Sequence, residues 1–124
     1  MEEIVIHETV RHHPSEFGLG AYQGGELIGM VVCDTHHTPT ASMVVIVKPE
    51  WRRRGVGRAL VQRMIERAPE LGLYFLTGSY DAGNQGIVQM LTGCDAIVAR
   101  RLEHGVVKVV LAVQPNVSAL PIAA

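Results

Sequence analysis

The sequence has few cysteines and no long apolar run, and each shortage excludes a class of protein. Two cysteines among 124 residues are too few for a disulfide framework, so each is expected to pack as a small apolar residue in a reducing compartment. No apolar run approaches the roughly 20 residues that a membrane helix requires. The acidic start, Met1-Glu2-Glu3, differs from the cationic start of a secretory signal. We therefore expect a cytoplasmic protein that does not enter a membrane.

A strong charge of one sign is also lacking, although the charges are unevenly distributed. The formal net charge is −1 and aromatic residues make up 5% of the chain, which argues against a nucleic-acid-binding protein. Residues 1–47 carry six acidic residues and one arginine, whereas residues 48–67 carry seven basic residues and two glutamates. The basic stretch suits a ligand that bears phosphates. The acidic stretch either attracts a cationic acceptor or is ordinary surface charge.

The length of 124 residues and the 48% hydrophobic content predict one globular domain with a single core. Apolar periodicity predicts two helices, over 56–68 and 81–91, and a series of strands. The predicted strands cover 4–9, 19–23, 26–33, 41–47, 73–77, 96–102 and 106–113. Residues 114–124 are predicted to form an extended tail. This order predicts an α/β fold, with a mixed central sheet of about six to seven strands flanked by two main helices.

A short loop rich in arginine and glycine joins the strand that ends at Val47 to the helix that begins at Val56. The first N–H groups of a helix have no intrahelical partner, and the helix dipole favours negative charge there. Gly55 and Gly57 allow the backbone to approach a ligand closely. The loop therefore predicts a site for a phosphate or pyrophosphate. It lacks the lysine and hydroxyl of a P-loop and the third glycine of a dinucleotide fingerprint.

The run Arg52-Arg53-Arg54-Gly55-Val56-Gly57 resembles the R/Q-x-x-G-x-G/A signature of the GNAT superfamily of acyl-CoA N-acyltransferases. The preceding strand and the following Ala59-Leu60 are similar to the flanks of that signature. The resemblance implies a GNAT-like domain over 1–124 that transfers an acetyl group from acetyl-CoA to a primary amine, on a small molecule or a protein lysine. It also implies a sheet that splays beside the central strand to admit the pantetheine arm. The residues implied to contact the cofactor are Ile46, Val47, Lys48, Arg52, Arg53, Arg54, Gly55, Val56, Gly57, Arg58, Ala59 and Asn84.

The sequence departs from the family pattern in two places. Only 11–18 lies where the family usually carries two helices that wall the acceptor site, so we expect an open or partner-completed acceptor side. The family often has a tyrosine that protonates the leaving thiolate, but Leu91 stands at that position. Tyr80 is the candidate substitute for that acid. His36, in the loop before the central strand, is a candidate base because an imidazole can accept a proton from an amine near neutral pH.

Two interpretations of the function stay open on these residues. The first is an N-acetyltransferase in which the amine attacks the thioester directly. The second is a non-catalytic acyl-CoA-binding or regulatory module with the same fold, which the missing tyrosine and the short N-terminal region favour. No cluster of cysteine, histidine and carboxylate has metal-ligand spacing, so no metal is expected. The uncovered sheet surface predicts a homodimer, formed through the 114–124 tail or the N-terminal strand.

Overall fold

The computed structural model describes residues 3–9, 15–36, 38–83, 86 and 96–114. Within them the chain forms seven strands, one α-helix and two short 3₁₀ helices. The strands are β1 (Val5–Glu8), β2 (Glu16–Gln23), β3 (Glu26–Asp34), β4 (Thr40–Val47), β5 (Phe75–Asp81), β6 (Ile97–Glu103) and β7 (Val106–Ala112). The helix α1 spans Val56–Arg67, and the 3₁₀ helices span Pro49–Trp51 and Ala68–Leu71.

All seven strands belong to one sheet, in the order β1-β2-β3-β4-β5-β7-β6. Neighbouring strands are antiparallel except β4 and β5, which run parallel. A parallel pair needs a crossover, and α1 with its flanking turns supplies it. The mixed sheet confirms the predicted α/β fold. Of the predicted second helix beyond residue 83, only Gly86 is described, and it is helical. The rest of that helix and the tail after 114 lie outside the described residues.

Two strands are longer than their local sequence predicts. β2 begins at Glu16 and not at residue 19, because Glu16 and Phe17 pair with Asp34 and Cys33 of β3. β5 continues to Asp81, because all of its residues pair with β7. Asp81, predicted to cap the second helix, ends this strand, and its carboxylate accepts a hydrogen bond from the Gly83 N–H over 3.0 Å. Residues 82 and 83 form a turn, so the helix does not begin directly after Asp81.

Side chains alternate between two faces of the sheet, which we call the helix face and the far face. On β4, Ala41, Met43, Val45 and Val47 point to the helix face and join the core. The side chains between them, Ser42, Val44 and Ile46, point to the far face. α1 packs its buried residues against the helix face: Val56, Leu60, Val61 and Met64. Their spacing matches the predicted apolar stripe of this helix.

Cys33 lies on the helix face within the core and is 1% exposed. Burial, and then the charge of Asp34, raises the pKa of its thiol from 9.0 to about 11. The thiol is therefore protonated and unreactive at neutral pH, as the sequence predicts for a cysteine that packs as an apolar residue.

This raised pKa predicts a pH-dependent stability. The contribution of Cys33 is complete below pH 9 and is lost as the pH rises to about 11, because the unfolded chain releases the thiol proton first. Urea unfolding at pH values across this window should therefore show a steeper fall in the free energy of unfolding for the wild type than for Cys33→Val. Tyrosines and lysines titrate in both proteins, so the difference between them isolates Cys33. A difference that stays constant across the window would contradict the prediction.

Candidate functional site

The centre of the sheet contains a gap between the two parallel strands. β4 and β5 pair only at their first residues, with Thr40 beside Phe75 and Ser42 beside Thr77. In the described chain no further pair joins them, although β4 stays paired with β3 to Val47 and β5 stays paired with β7 to Asp81. Each strand is held on its outer edge while the inner edges diverge, which confirms the expected splay. We call the gap between 43–47 and 78–81 the fork.

Gly78 lies at the closed end of the fork. A Cβ built on this residue would lie 3.8 Å from the Met43 carbonyl oxygen, so the two backbones are still close at this level. Toward Val47 the inner edges no longer meet, and they leave backbone groups for an extended ligand to pair with. Gly78 is absent from the predicted site, although a glycine within a strand is a known signal of close backbone approach.

The loop predicted to bind phosphate lies at the open end of the fork, where β4 ends. The Arg52 Nε–H donates a hydrogen bond to the Val47 carbonyl oxygen over 3.2 Å and so ties the loop to β4. Arg53 and Gly55 adopt left-handed backbone, with φ of 62° and 83°. These two residues turn the chain sharply into α1.

The start of α1 has the geometry of an anion site. Gly55 is the N-cap residue, and no side chain caps the helix there. The Ala59 N–H donates to the Gly55 carbonyl oxygen over 3.0 Å, which is the first α-helical hydrogen bond. The N–H groups of Val56 and Gly57, in the first turn, therefore have no partner within the helix, which is the arrangement found at helix starts that bind anions.

Gly29 on β3 lets this helix start lie close to the sheet. A Cβ on Gly29 would lie 3.1 Å from Val56 Cγ1, 3.3 Å from Leu60 Cδ1 and 3.2 Å from the Ile46 carbonyl oxygen. A side chain there would push the first turn of α1 away from β4. Gly29 therefore fixes the start of α1 relative to the fork, a role that the sequence pattern does not indicate.

The other predicted cofactor residues surround the same loop. The side chains of Arg53, Arg54 and Arg58 are exposed, and the Arg54 guanidinium lies 5.0 Å from the centre of the Trp51 ring. Lys48 forms an ion pair with Glu26 at 3.8 Å. The structure thus brings together the predicted residues of 46–59 at one end of the fork. Asn84, the remaining predicted contact, lies outside the described residues, as does Leu91.

The two candidate catalytic residues lie in different places. Tyr80 is on the β5 side of the fork and points to the helix face, where it is half-buried against Val107 and Val109. His36 precedes β4, beyond the closed end of the fork, and its side chain is exposed. The His36 N–H donates to Asp34 Oδ1 over 2.9 Å. The structure therefore places Tyr80 along the fork, and His36 beyond the closed end of the fork on the β3 side.

Two further observations concern the described residues alone. They hold no group of three or more His, Cys, Asp and Glu side chains that is arranged to bind a metal. No helix among them is both long enough and apolar enough to cross a bilayer. The expected absence of a metal and the cytoplasmic location stay predictions.

Comparison with known proteins gives a consistent result. Residues 1–93 match the model of the acetyltransferase (GNAT) family. N-alpha-acetyltransferase MAK3 of Arabidopsis thaliana is 32% identical over 89 residues, which make up 68% of this chain and 46% of that protein. The chain therefore spans about half the length of this curated relative.

Solved structures share the fold. The GNAT domain of PAT from S. lividans superposes with a TM-score of 0.71 at 23% identity, covering 82% of this chain and 64% of that one. The structure of yncA from Salmonella typhimurium, with its cofactor acetyl-CoA, superposes with a TM-score of 0.68 at 18% identity. This match covers 88% of this chain and 70% of that one. At these identities the likeness establishes the architecture alone.

Proposed function

The chain belongs to the acetyltransferase (GNAT) family, and from this membership we propose that it is an N-acetyltransferase that transfers an acetyl group from acetyl-CoA to a primary amine. The observation that carries the proposal is the fork with the uncapped start of α1 at its open end. A ligand with an extended arm and a pyrophosphate fits this combination. Acetyl-CoA has both parts, and it is bound by the structural neighbour yncA.

Each part of the cofactor is assigned to a part of the site. The N–H groups from Arg53 to Gly57 receive the pyrophosphate, with the side chains of Arg52 and Arg58 as charged partners. The N–H of Ala59, which the resemblance also implied as a contact, is already bonded to the Gly55 carbonyl oxygen. The β4 edge from Ile46 to Lys48 pairs with the pantetheine arm as an added strand would. Asn84 is a further contact, which rests on the family resemblance alone.

The reaction follows from this placement. The amine nitrogen attacks the thioester carbonyl carbon, so that a C–N bond forms and the C–S bond breaks. The nitrogen gives up a proton, for which His36 or water is the acceptor. The departing thiolate takes up a proton, for which Tyr80 is the donor. The products are an N-acetylated acceptor and free CoA.

The second candidate is a non-catalytic acyl-CoA-binding module with the same fold. Leu91, which stands where the family often has a tyrosine, favours it. Incubation of the wild type with acetyl-CoA and a panel of amines distinguishes the two functions. Release of CoA thiol that depends on the amine supports the transferase, whereas calorimetric binding of acetyl-CoA without release supports the module.

We also propose that two copies associate through β1. Among the described strands β1 pairs only with β2, so its other edge is open, and its Val5 side chain is 52% exposed. Beside it lies a groove of about 460 Å³ between β1, β2 and α1, with Ile6, Leu19 and Arg63 in its lining. A second β1 strand paired antiparallel to the first would extend the sheet across a two-fold axis.

This association predicts a dimer that an edge charge disrupts. Light scattering of the wild type at high micromolar concentration should give the mass of two chains, and Val5→Lys should give the mass of one, because a lysine on an edge strand opposes pairing. The matched control is Val98→Lys on β6, at the other edge of the sheet, where Val98 is 47% exposed. The control should remain dimeric. A wild type that is a monodisperse monomer at this concentration would contradict the proposal.

A further inference from the structure

The strand registers give a map of the far face around the fork. At the closed end, direct neighbours across four strands form one row: Glu16, Asp34, Ser42 and Thr77. On the β4 side of the fork, the next rows are apolar, and the far-face residues there are Met30, Val32, Val44 and Ile46. On the β5 side, Ser79 and Asp81 occupy the same face. The far face thus has an apolar side and a polar side, separated by the fork.

The apolar side is exposed to solvent. Val44 is 58% exposed and Ile46 is 57% exposed, and Met30 and Val32 beside them are only partly buried. We call these four residues the apolar bank. A contiguous apolar surface of this kind normally has a partner. In the described part of the chain, α1 packs on the opposite face and leaves the bank uncovered.

Two carboxylates lie beside the apolar bank, at the closed end of the fork. Glu16 and Asp34 are direct cross-strand partners on the far face. Like charges placed opposite each other destabilise a strand pair. Neither side chain forms an ion pair with any of the described residues. A cation over this pair would relieve the repulsion, so the surface is complementary to a basic group.

From this juxtaposition we propose that the far face beside the fork is the docking surface for a polypeptide acceptor. An apolar side chain of the acceptor covers the bank, a basic residue binds Glu16 and Asp34, and the amine enters the fork. The inference rests on the proposed transferase function and names its substrate class. The acceptor is a lysine or an N-terminal amine on a segment that carries both apolar and basic residues.

The dimensions favour a polypeptide over a small amine. From Asp34 to Met30 the apolar bank and the carboxylates extend over five residues of β3, which are four steps of ~3.4 Å or about 14 Å. A small amine is usually held in a pocket that encloses most of its surface. The far face offers an open apolar strip with charge at one end, which matches a short extended peptide.

The test compares three acceptors with the 124-residue chain. The first is a blocked peptide with one lysine, two leucines and an arginine four residues from the lysine. The second has glutamine in place of that arginine, and the third is butylamine. The charge variant is Glu16→Gln combined with Asp34→Asn, which retains an acceptor for the His36 N–H. The matched control is Glu66→Gln, an exposed carboxylate on α1.

We expect the charge variant to raise KM for the arginine peptide at least about tenfold, and to leave KM for the glutamine peptide and kcat/KM for butylamine unchanged. Added salt should raise the wild-type KM for the arginine peptide and have little effect on the charge variant. Val44→Thr, which keeps the shape of the side chain, should raise KM for both peptides and leave butylamine unaffected. Glu66→Gln should behave as the wild type does.

Several outcomes would overturn this inference. If butylamine is turned over at least as well as either peptide, the far face is not a docking surface for a polypeptide. The proposed transferase function would still hold. An unchanged peptide KM in the charge variant would remove the role of Glu16 and Asp34. Dissociation of a dimer by Val44→Thr in light scattering would show that a second copy covers the bank. Absence of turnover with every acceptor would remove the proposed function and this inference together.

Discussion

Replacement of Gly57 by valine is expected to weaken acetyl-CoA binding at least about tenfold, which corresponds to about 1.4 kcal/mol. Gly57 belongs to the first turn of α1, among the N–H groups that have no partner within the helix. The branched side chain would occupy the space through which the pyrophosphate approaches this backbone. Isothermal titration calorimetry with acetyl-CoA measures the loss directly. Unchanged affinity in a folded Gly57→Val protein would contradict the proposal that the pyrophosphate binds at the start of α1.

Gly57→Ala is the matched control for this substitution. Alanine fits regular helical backbone and favours it by up to about 1 kcal/mol over glycine. The family signature also accepts either glycine or alanine at the position that Gly57 matches. Gly55 is a poorer probe, because its φ of 83° strains any side chain even though nothing lies within 4 Å of its Cβ position. Binding should therefore survive Gly57→Ala and fail in Gly57→Val.

The second large effect concerns the proton that the leaving thiolate needs. Tyr80→Phe is expected to lower kcat by about 10²- to 10⁴-fold, the usual contribution of general acid catalysis. Affinity for acetyl-CoA should not change, because phenylalanine retains the packing of the ring against Val107 and Val109. Initial rates with a saturating amine, together with calorimetry, separate the two quantities.

Tyr74→Phe provides the control for loss of a tyrosine hydroxyl near the same strand. Tyr74 precedes β5 and is 44% exposed, and it lies outside the fork. The Tyr74→Phe protein should keep full activity. If Tyr80→Phe also keeps more than half of the wild-type activity, water or another residue protonates the thiolate, and Tyr80 is a packing residue of β5.

The conformation of the loop before α1 was predictable from sequence because its determinants are local. An apolar strand, two glycines and an amphipathic stripe follow one another within 41–68, and each has a direct structural consequence. The gap between β4 and β5 was predictable through the family resemblance alone. Nothing in residues 43–47 or 78–81 taken separately indicates that their inner edges diverge.

The features that could not be predicted from the sequence depend on how the strands pair. Glu16 belongs to a strand only because β3 extends far enough to pair with it, and its position opposite Asp34 follows from that pairing. Likewise, β5 extends to Asp81 because β7 runs beside it. Gly29 and Gly78 gain their roles from atoms distant in sequence, namely those of α1 and β4. Long-range pairing of this kind has no signature in a local window.

Acetyl transfer is tested most directly by mass spectrometry of the arginine peptide and of butylamine after incubation with the wild-type chain and acetyl-CoA that carries an isotope-labelled acetyl group. We expect the peptide to gain one labelled acetyl group on its lysine amine, in equal amount to the CoA thiol released. At low acetyl-CoA concentration, Gly57→Val should abolish this gain. If the peptide and butylamine both stay unmodified and acetyl-CoA stays intact, in a protein that calorimetry shows to bind the cofactor, the transferase function is contradicted and the chain is an acyl-CoA-binding module.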